Sequence, residues 1–143
     1  MTMQRWAPVT ATREVQVELV APGEGTVVPM PMVLHYDSAD PFAVQATFRT
    51  GKGEGVCWVF ARDLLTLGVH RPTGDGDVRV WPSSAGGREV VYIGLNSPDG
   101  EALLQAPSAA VIDFLGRSYA IVAHGKERDY LDVDRVIEAL LAS

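Results

Sequence analysis

The sequence predicts an α+β fold in which antiparallel, strand-rich sheets pack against helices. Apolar and polar residues alternate with a period of two through much of the first half, as is typical of half-buried strands. Apolar residues near the C-terminus recur at helical spacing instead, and no strand–helix–strand alternation indicates a parallel sheet. The 143 residues have the length of one domain. We place that domain at residues 13–143, after a flexible leader at residues 1–12.

The strands are predicted from this alternation and from the turn residues between them. In the first, at residues 13–20, Val15, Val17 and Leu19 share one face and polar residues occupy the other. A connection rich in glycine and proline follows at residues 21–31. The remaining predicted strands lie at 32–37, 42–50, 56–60, 78–82 and 88–98, and residues 101–106 fit either a strand or a helix.

Three helices are predicted, one in the middle of the chain and two at its C-terminal end. The first, at residues 61–68, has room for about two turns and is closed by Gly68 at its C-cap. The second opens with Pro107 in its first turn, and the third has Asp132 as its N-cap. The predicted core-facing positions are Val111, Phe114, Leu115 and Ser118 in the second helix, and Val133, Val136, Ile137 and Leu140 in the third.

The composition excludes several classes of protein. A formal net charge of −6 argues against a protein whose main task is to neutralise phosphates, so no nucleic-acid partner is expected. The single cysteine, Cys57, cannot form an internal disulfide, and the cysteine and histidine residues lack zinc-site spacing. No apolar run approaches the ~18 residues of a membrane span. We therefore expect a cytoplasmic protein without a transmembrane segment.

The sequence motifs that could carry chemistry are incomplete. The run Gly51–Gly53 lacks the glycine and the hydroxyl residue of a phosphate-binding loop, and Gly74–Asp77 lacks the other ligands of a calcium loop. No serine sits in a nucleophile elbow, and the strand context of Cys57 favours packing over nucleophilic use. The sequence thus predicts no catalytic residue, no cofactor and no metal site, and the protein is expected not to be an enzyme.

The segment from Trp58 to Pro82 is unusually rich in arginine, aspartate, histidine and tryptophan. Much of it fits turn and cap chemistry, since Asp63 suits the first turn of a helix and residues 71–74 read as a turn. Arginine and tryptophan are also enriched at protein–protein interfaces, and buried ion pairs or solvated charges explain single residues equally well. The residues that remain as candidates for protein interaction are Arg62, His70, Arg71, Arg79 and Trp81.

Two aspartates complete the set of candidates. Asp37 and Asp40 flank a turn that ends at Pro41, and aspartate at such positions commonly bonds the following backbone. A structural role is therefore favoured for both carboxylates, and they are kept as further candidates for contact with a partner. Arg62 has two interpretations as well, because it could pair with a carboxylate or lie against a partner protein.

Five longer stretches of the sequence carry a resemblance to a known family: "LHYDSADPFAVQATFRTG", "WVFARDLL", "GVHRPTGDGDVRVWP", "LNSPDGEALLQAP" and "LDVDRVIEALLA". They resemble the SsgA-like proteins of actinomycetes, a family of sporulation and cell-division regulators, and the resemblance extends from about Val15 to Ala142. The resemblance implies a non-enzymatic protein whose fold is similar to the Whirly and mitochondrial RNA-binding protein architecture and which forms a symmetric oligomer, expected to be a trimer.

The resemblance also implies a function and partners. Members of the family help to select and build the sporulation septum, and some bring the tubulin-like division GTPase to the future septum site. The expected partners are therefore that GTPase, related septation proteins or another SsgA-like paralogue, at division septum sites. Two alternatives stay open: a single-stranded nucleic-acid-binding module of the Whirly kind, which the acidic balance disfavours, and a small-molecule sensor with a pocket between sheet and helices.

Overall fold

The computed structural model describes residues 8–20, 26–49, 55–98, 100–131 and 141. Within them the chain forms seven strands, two α-helices and one 3₁₀ turn. The strands are β1 (Thr10–Val20), β2 (Val27–Asp37), β3 (Ala43–Arg49), β4 (Gly55–Ala61), β5 (Val78–Ala85), β6 (Arg88–Ser97) and β7 (Gly100–Pro107). The helices are α1 (Arg62–Gly68) and α2 (Ser108–Ile121), and the 3₁₀ turn is Glu127–Tyr130.

All seven strands belong to one antiparallel sheet in the order β4-β3-β2-β1-β7-β6-β5. Each half of the chain is a meander followed by a helix, β1 to β4 with α1 and β5 to β7 with α2. The halves join where β1 pairs with β7, through Leu19 opposite Leu104. The prediction of an antiparallel α+β fold is confirmed. Its finer part, the likeness to the Whirly architecture, stays a prediction.

The core lies between one face of the sheet and helix α2. Val15 and Val17 of β1 are fully buried, as their alternation predicted, while Leu19 is half-buried against the same core. From the helix side, α2 buries the predicted positions, which are Val111, Phe114, Leu115 and Ser118. Because α2 covers that face, and no described helix lies on the other, the alternating strand residues divide into a core set and an outer set.

Two boundaries near α2 differ slightly from prediction. The ambiguous residues 101–106 are part of strand β7, and α2 begins at Ser108, directly after Pro107 rather than with it. Pro107 is still extended, with φ −62° and ψ 129°, and ends the strand that precedes the helix. A proline fixes φ near this value, so it suits the last strand residue as well as a first helical turn.

The predicted connection at residues 21–31 was wrong in its second half, because β2 already begins at Val27. Sequence reasoning placed Pro29 and Pro31 in a loop, since proline lacks the N–H that a central strand needs. In the structure, residues 27–31 pair with β1, whereas the pairing of β2 with β3 covers only Met32–His35. The prolines therefore lie where the strand bonds to one described neighbour only.

Gly68 closes α1 for a different reason than predicted. It is the last helical residue, and the C-cap position is Val69 in right-handed conformation, so no left-handed glycine cap is present there. A Cβ atom at Gly68 would lie 2.3 Å from Cγ1 of Val80. The absence of a side chain is what lets α1 pack directly against β5.

The two ends of the sequence extend beyond the described residues. The predicted third helix, from Asp132, lies outside them. At the other end β1 begins at Thr10, so the last three residues of the predicted leader belong to a strand.

Candidate interaction surface

Arg62, the first residue of α1, is completely buried and has the largest side chain among the fully buried residues. Its guanidinium Nη1 donates hydrogen bonds to the carbonyl oxygens of Ser118 at 3.1 Å and Val122 at 2.9 Å, at the C-terminal end of α2. Its Nη2 donates to Oε2 of Glu127 at 3.1 Å. A cation is favoured at a helix C-terminus, where carbonyl groups lack intrahelical partners.

Two tyrosine rings enclose the same guanidinium. Its central carbon lies 4.6 Å from the ring centre of Tyr36 and 4.0 Å from that of Tyr119, in cation–π geometry. The Tyr119 hydroxyl is 2.6 Å from Oγ1 of Thr66, and the Tyr36 hydroxyl donates to the Pro41 carbonyl at 2.8 Å. Burial raises the pKa of Tyr36 to about 12, so this hydroxyl stays neutral at physiological pH.

Glu127 supplies the charge that balances Arg62. The residue is 6% exposed and sits at the start of the 3₁₀ turn. A hydrogen bond from its own backbone N–H and the bond and charge of Arg62 hold the pKa of Glu127 below its usual value, against the opposing effect of burial. We call Arg62, Glu127, Tyr36 and Tyr119 the Arg62 cluster. Arg62 therefore pairs with a carboxylate in the interior and offers no surface to a partner, because its side chain has no exposed area.

Asp37 and Asp40 shape the turn between β2 and β3. Asp37 Oδ1 accepts a hydrogen bond from the backbone N–H of Ala39 at 2.8 Å, and its carbonyl accepts one from the N–H of Asp40 at 2.9 Å. The Asp37 carboxylate thus carries the structural role that its position predicted. Asp40 is exposed, and both residues lie at the turn between β2 and β3 rather than on β5 or in the loop after α1.

The four other candidates lie along β5, which is an edge strand. His70 and Arg71 are exposed in the loop after α1, Arg79 is exposed on β5, and Trp81 on the same strand is half-buried. That loop is fastened to the strand by a bridge between Thr73 and Val80, with N–H to carbonyl distances of 2.8 and 2.9 Å. We call His70, Arg71, Arg79 and Trp81 the β5 surface.

On the outer face of the sheet, Trp81 forms an aromatic platform with its cross-strand neighbour. The Trp81 and Tyr92 rings stack with centres 5.6 Å apart and an angle of 25° between their planes. Tyr92 is fixed by a hydrogen bond from its hydroxyl to Gln105 Oε1 at 2.9 Å. The Trp81 ring also lies over Gly94, where a Cβ atom would be 3.3 Å from it. A shallow groove results, with Arg79 and Glu101 at its rim.

On the helix side of β5, His70 lines a second, open cleft. The cleft runs between the loop after α1, the end of β5 and helix α2. Besides His70 it is lined by Pro82, Ser83, Ser84, Glu89 and Ile112. Both clefts are open rather than enclosed, which suits a protein partner better than a small molecule that must be surrounded.

The described residues contain no group of three or more histidine, cysteine, aspartate or glutamate side chains placed to hold a metal ion. Nor is any helix in the described ranges long and apolar enough to cross a membrane.

Sequence reasoning missed the partners of the candidate residues. Glu127 is separated from Arg62 by 65 positions, and nothing in the local pattern links the two. The signal for Tyr92 was available in principle, since "VRVWP" and "REVVYIGL" are consecutive strands with a Ser/Gly turn between them. An antiparallel register set by that turn places Tyr92 opposite Trp81.

Comparison with known proteins gives the family. Residues 30–127 match the family model described as "Streptomyces sporulation and cell division protein, SsgA". The chain belongs to the SsgA family. It is 53% identical over 133 residues to the sporulation-specific cell division protein SsgB of Streptomyces coelicolor, covering 93% of this chain and 96% of that protein. It is 44% identical over 137 residues to SsgB of Salinispora tropica, covering 94% and 95%.

Two solved structures share the fold of this SsgA-family protein. One, from work on SsgB mutations that correlate with longitudinal cell division during sporulation of Streptomyces coelicolor, superposes with a TM-score of 0.84 at 52% identity, covering 90% of this chain and 100% of that one. The other is an SsgA-like sporulation-specific cell division protein from Thermobifida fusca, with a TM-score of 0.84 at 42% identity, covering 95% and 98%. The resemblance inferred from the sequence is confirmed, and these relatives support a role in sporulation cell division.

Proposed function

We propose that this protein is a non-enzymatic regulator of sporulation-specific cell division that helps to position the septum by recruiting the tubulin-like division GTPase. It acts in the cytoplasm at division septum sites, as a homo-oligomer for which the family resemblance suggests a trimer. Related septation proteins, or another SsgA-like paralogue, are further partners in this proposal.

The observation that carries the proposal is the Trp81–Tyr92 platform on the β5 surface. Tryptophan, tyrosine and arginine are the residue types that most often supply binding energy at protein interfaces. Here Trp81 and Tyr92 are held in fixed positions by stacking and by the Gln105 hydrogen bond. Two side chains that are already ordered lose less conformational entropy when a partner binds.

The direct test is a pelleting assay with polymers of the host's tubulin-like division GTPase, with and without GTP, at low and high salt. We expect the protein to pellet only when polymer forms. Trp81→Ala combined with Arg79→Glu should lower the pelleted fraction at least about tenfold, as expected for loss of interface anchors. The matched control is Arg117→Glu, which reverses an arginine on α2 whose side chain is 56% exposed.

Two results would contradict this proposal. One is absence of co-pelleting at either salt, and the other is equal co-pelleting by the Trp81/Arg79 double variant and the wild type. In the first case recruitment through an adaptor becomes the better hypothesis.

The alternative is single-stranded nucleic-acid binding by a Whirly-like module. The stacked pair Trp81 and Tyr92 on an open sheet face, beside Arg79, is the observation that favours it, because bases stack on such rings. The net charge of −6 opposes it. Binding of an oligonucleotide that weakens steeply with salt and disappears in Trp81→Ala would favour this alternative.

A further inference from the structure

The two edges of the sheet are built differently, and the difference points to a second binding site. Strand β5 forms one edge and strand β4 the other. An edge strand presents unpaired N–H and C=O groups that can pair with another strand, and proteins usually protect such edges with prolines, charges or covering segments. The outward-pointing N–H and C=O groups of β5 and β4 therefore show whether each edge can pair with a further strand.

The β5 edge is closed. The N–H and C=O of Val80, which point away from the sheet, are both bonded to Thr73 in the loop after α1. Two residues further on, the same outward position is occupied by Pro82, which has no N–H to offer. Both devices remove this edge from strand pairing.

The β4 edge is open along its length within the described residues. Arg62 donates its N–H to the carbonyl of Phe42 at 2.8 Å, and in an antiparallel ladder bonded pairs alternate along the strand. Phe60 and Trp58, which follow in this alternation, therefore direct their N–H and C=O groups at β3. Val59 and Cys57 direct theirs outward, where no described residue accepts or donates.

The side chains of β4 offer no protection either. The strand from Gly55 to Ala61 contains no charged residue and no proline. Val59 is 57% exposed and Val56 36% exposed, while Cys57 is exposed on the same face as Val59. An uncharged, apolar edge of this kind would be an aggregation hazard unless another strand covers it in use.

We propose that β4 accepts an extended, uncharged segment of a partner protein, which adds to the sheet as an eighth strand. The occupant is an extended segment because only a strand can satisfy the outward N–H and C=O groups of Cys57 and Val59 together. It is uncharged because no charged group on β4 would pair with a charged side chain.

A second copy of this chain is a weaker occupant. Seven residues of strand span about 23 Å, so a contact confined to this edge is narrow, whereas a stable interface between folded proteins buries ~800 Å² per partner. The closed β5 edge also cannot pair with β4 of a neighbour, which removes a ring of copies joined edge to edge. The site is separate from the β5 surface, so it stands or falls independently of the proposed function.

Amide hydrogen exchange measured residue by residue tests the open edge directly. In the free protein we expect the amides of Cys57 and Val59 to exchange fast while those of Trp58 and Phe60 are slow, because only the second pair is bonded to β3. The probe is a capped, uncharged synthetic peptide with the sequence of residues Ala43–Phe48 from β3, the strand with which β4 already pairs. At millimolar concentration the peptide should slow the exchange of Cys57 and Val59 at least about tenfold, with little change at Trp58 and Phe60.

Matched variants and probes make the result specific. Val59→Lys places a charge on the open edge at an exposed position, and should abolish the peptide-induced protection while leaving the free-protein pattern at Trp58 and Phe60 unchanged. An added strand bonds β4 through the N–H groups of every second peptide residue only. Two N-methylated peptides, each methylated at one of the two alternating sets of nitrogens, should therefore differ: one should fail to protect Cys57 and Val59, and the other should protect them as the unmethylated peptide does.

Three outcomes would overturn the inference. Slow exchange at Cys57 and Val59 in the free protein with a monomeric mass by light scattering would show that the chain already covers this edge. The same slow exchange with the mass of any oligomer, becoming fast when dilution yields the monomer, would assign the edge to a second copy. Unchanged exchange in the presence of the unmethylated peptide would show that β4 does not accept a strand.

Discussion

Arg62 and Arg71 come from the same arginine-rich segment, yet the first is fully buried and the second is exposed. Arg62 is the first residue of α1 and meets the C-terminal carbonyls of α2 and the carboxylate of Glu127. Arg71 follows α1 in the loop beside β5 and enters no ion pair among the described residues. Residue type alone therefore does not decide whether an arginine of this segment is buried or exposed; its position relative to the ends of α1 and α2 does.

The largest change in stability is expected from a substitution of Arg62. Arg62→Met should lower the free energy of unfolding by about 3–5 kcal/mol, because it leaves the Glu127 carboxylate buried without its counter-charge. Arg71→Met should change it by no more than about 0.5 kcal/mol, as expected for an exposed site. Urea unfolding of the two variants gives both values. Similar losses of unfolding free energy in Arg62→Met and Arg71→Met would show that the buried Arg62 contributes no more to stability than the exposed Arg71.

Replacing Glu127 should have the next largest effect. Glu127→Gln keeps a hydrogen-bond acceptor for Arg62 but removes the negative charge, so we expect a loss of about 1.5–3 kcal/mol, the range for hydrogen bonds to charged groups. Asp113→Asn is the matched control, since its carboxylate also pairs with arginine but is 45% exposed. An equal effect in both variants would contradict the importance of burial.

The same pair predicts how stability depends on pH. The folded state lowers the pKa of Glu127, so its contribution is present above the usual carboxyl pKa and is lost as pH falls below it towards the lowered value. The folded state raises the pKa of Tyr36 from 10.0 to about 12, so that contribution is intact below pH 10 and is lost as pH rises towards 12. Unfolding free energies measured across the acid range should fall less steeply for Glu127→Gln than for the wild type. If the unfolding free energies of Glu127→Gln and the wild type fall in parallel with pH, Glu127 does not contribute to the loss of stability in acid.

A smaller effect is expected from Tyr119→Phe. The substitution keeps the ring against the Arg62 guanidinium and removes only the hydroxyl that lies 2.6 Å from Oγ1 of Thr66. A loss of about 0.5–1.5 kcal/mol is expected for one hydrogen bond. The Thr66 hydroxyl also donates to the Arg62 carbonyl at 3.1 Å, so Thr66→Val in the Tyr119→Phe background should still cost some stability, but less than Thr66→Val alone. A fully additive second loss would show that the two hydroxyl groups do not act together.

The sequence predicted the sheet better than the site. Strand faces such as Val15 and Val17, and the buried face of α2, follow from local periodicity that a reader of the sequence can see. The Arg62 cluster could not be predicted, because it depends on how α1, α2 and the 3₁₀ turn meet in space. The early start of β2 was missed because prolines read as loop residues until the limited pairing with β3 is known.

The β5 surface lies between these cases. Turn residues around Gly74, which has a φ of +96°, were predictable from the sequence and explain how the loop returns to β5. The platform was half predicted, since Trp81 was singled out while its stacking partner Tyr92 and the gap left by Gly94 were not. Register between strands, rather than composition, decides which side chains become neighbours on the outer face.

The division between an interior Arg62 cluster and a binding surface on β5 is tested most directly by comparing Trp81→Ala with Arg62→Met in binding to polymers of the division GTPase, at a temperature where the folded fraction of each variant is measured. We expect Trp81→Ala to be nearly as stable as the wild type but to lose most of its binding. Arg62→Met, corrected for its folded fraction, should bind as the wild type does. Full binding by Trp81→Ala together with lost binding by folded Arg62→Met would contradict the division between scaffold and surface.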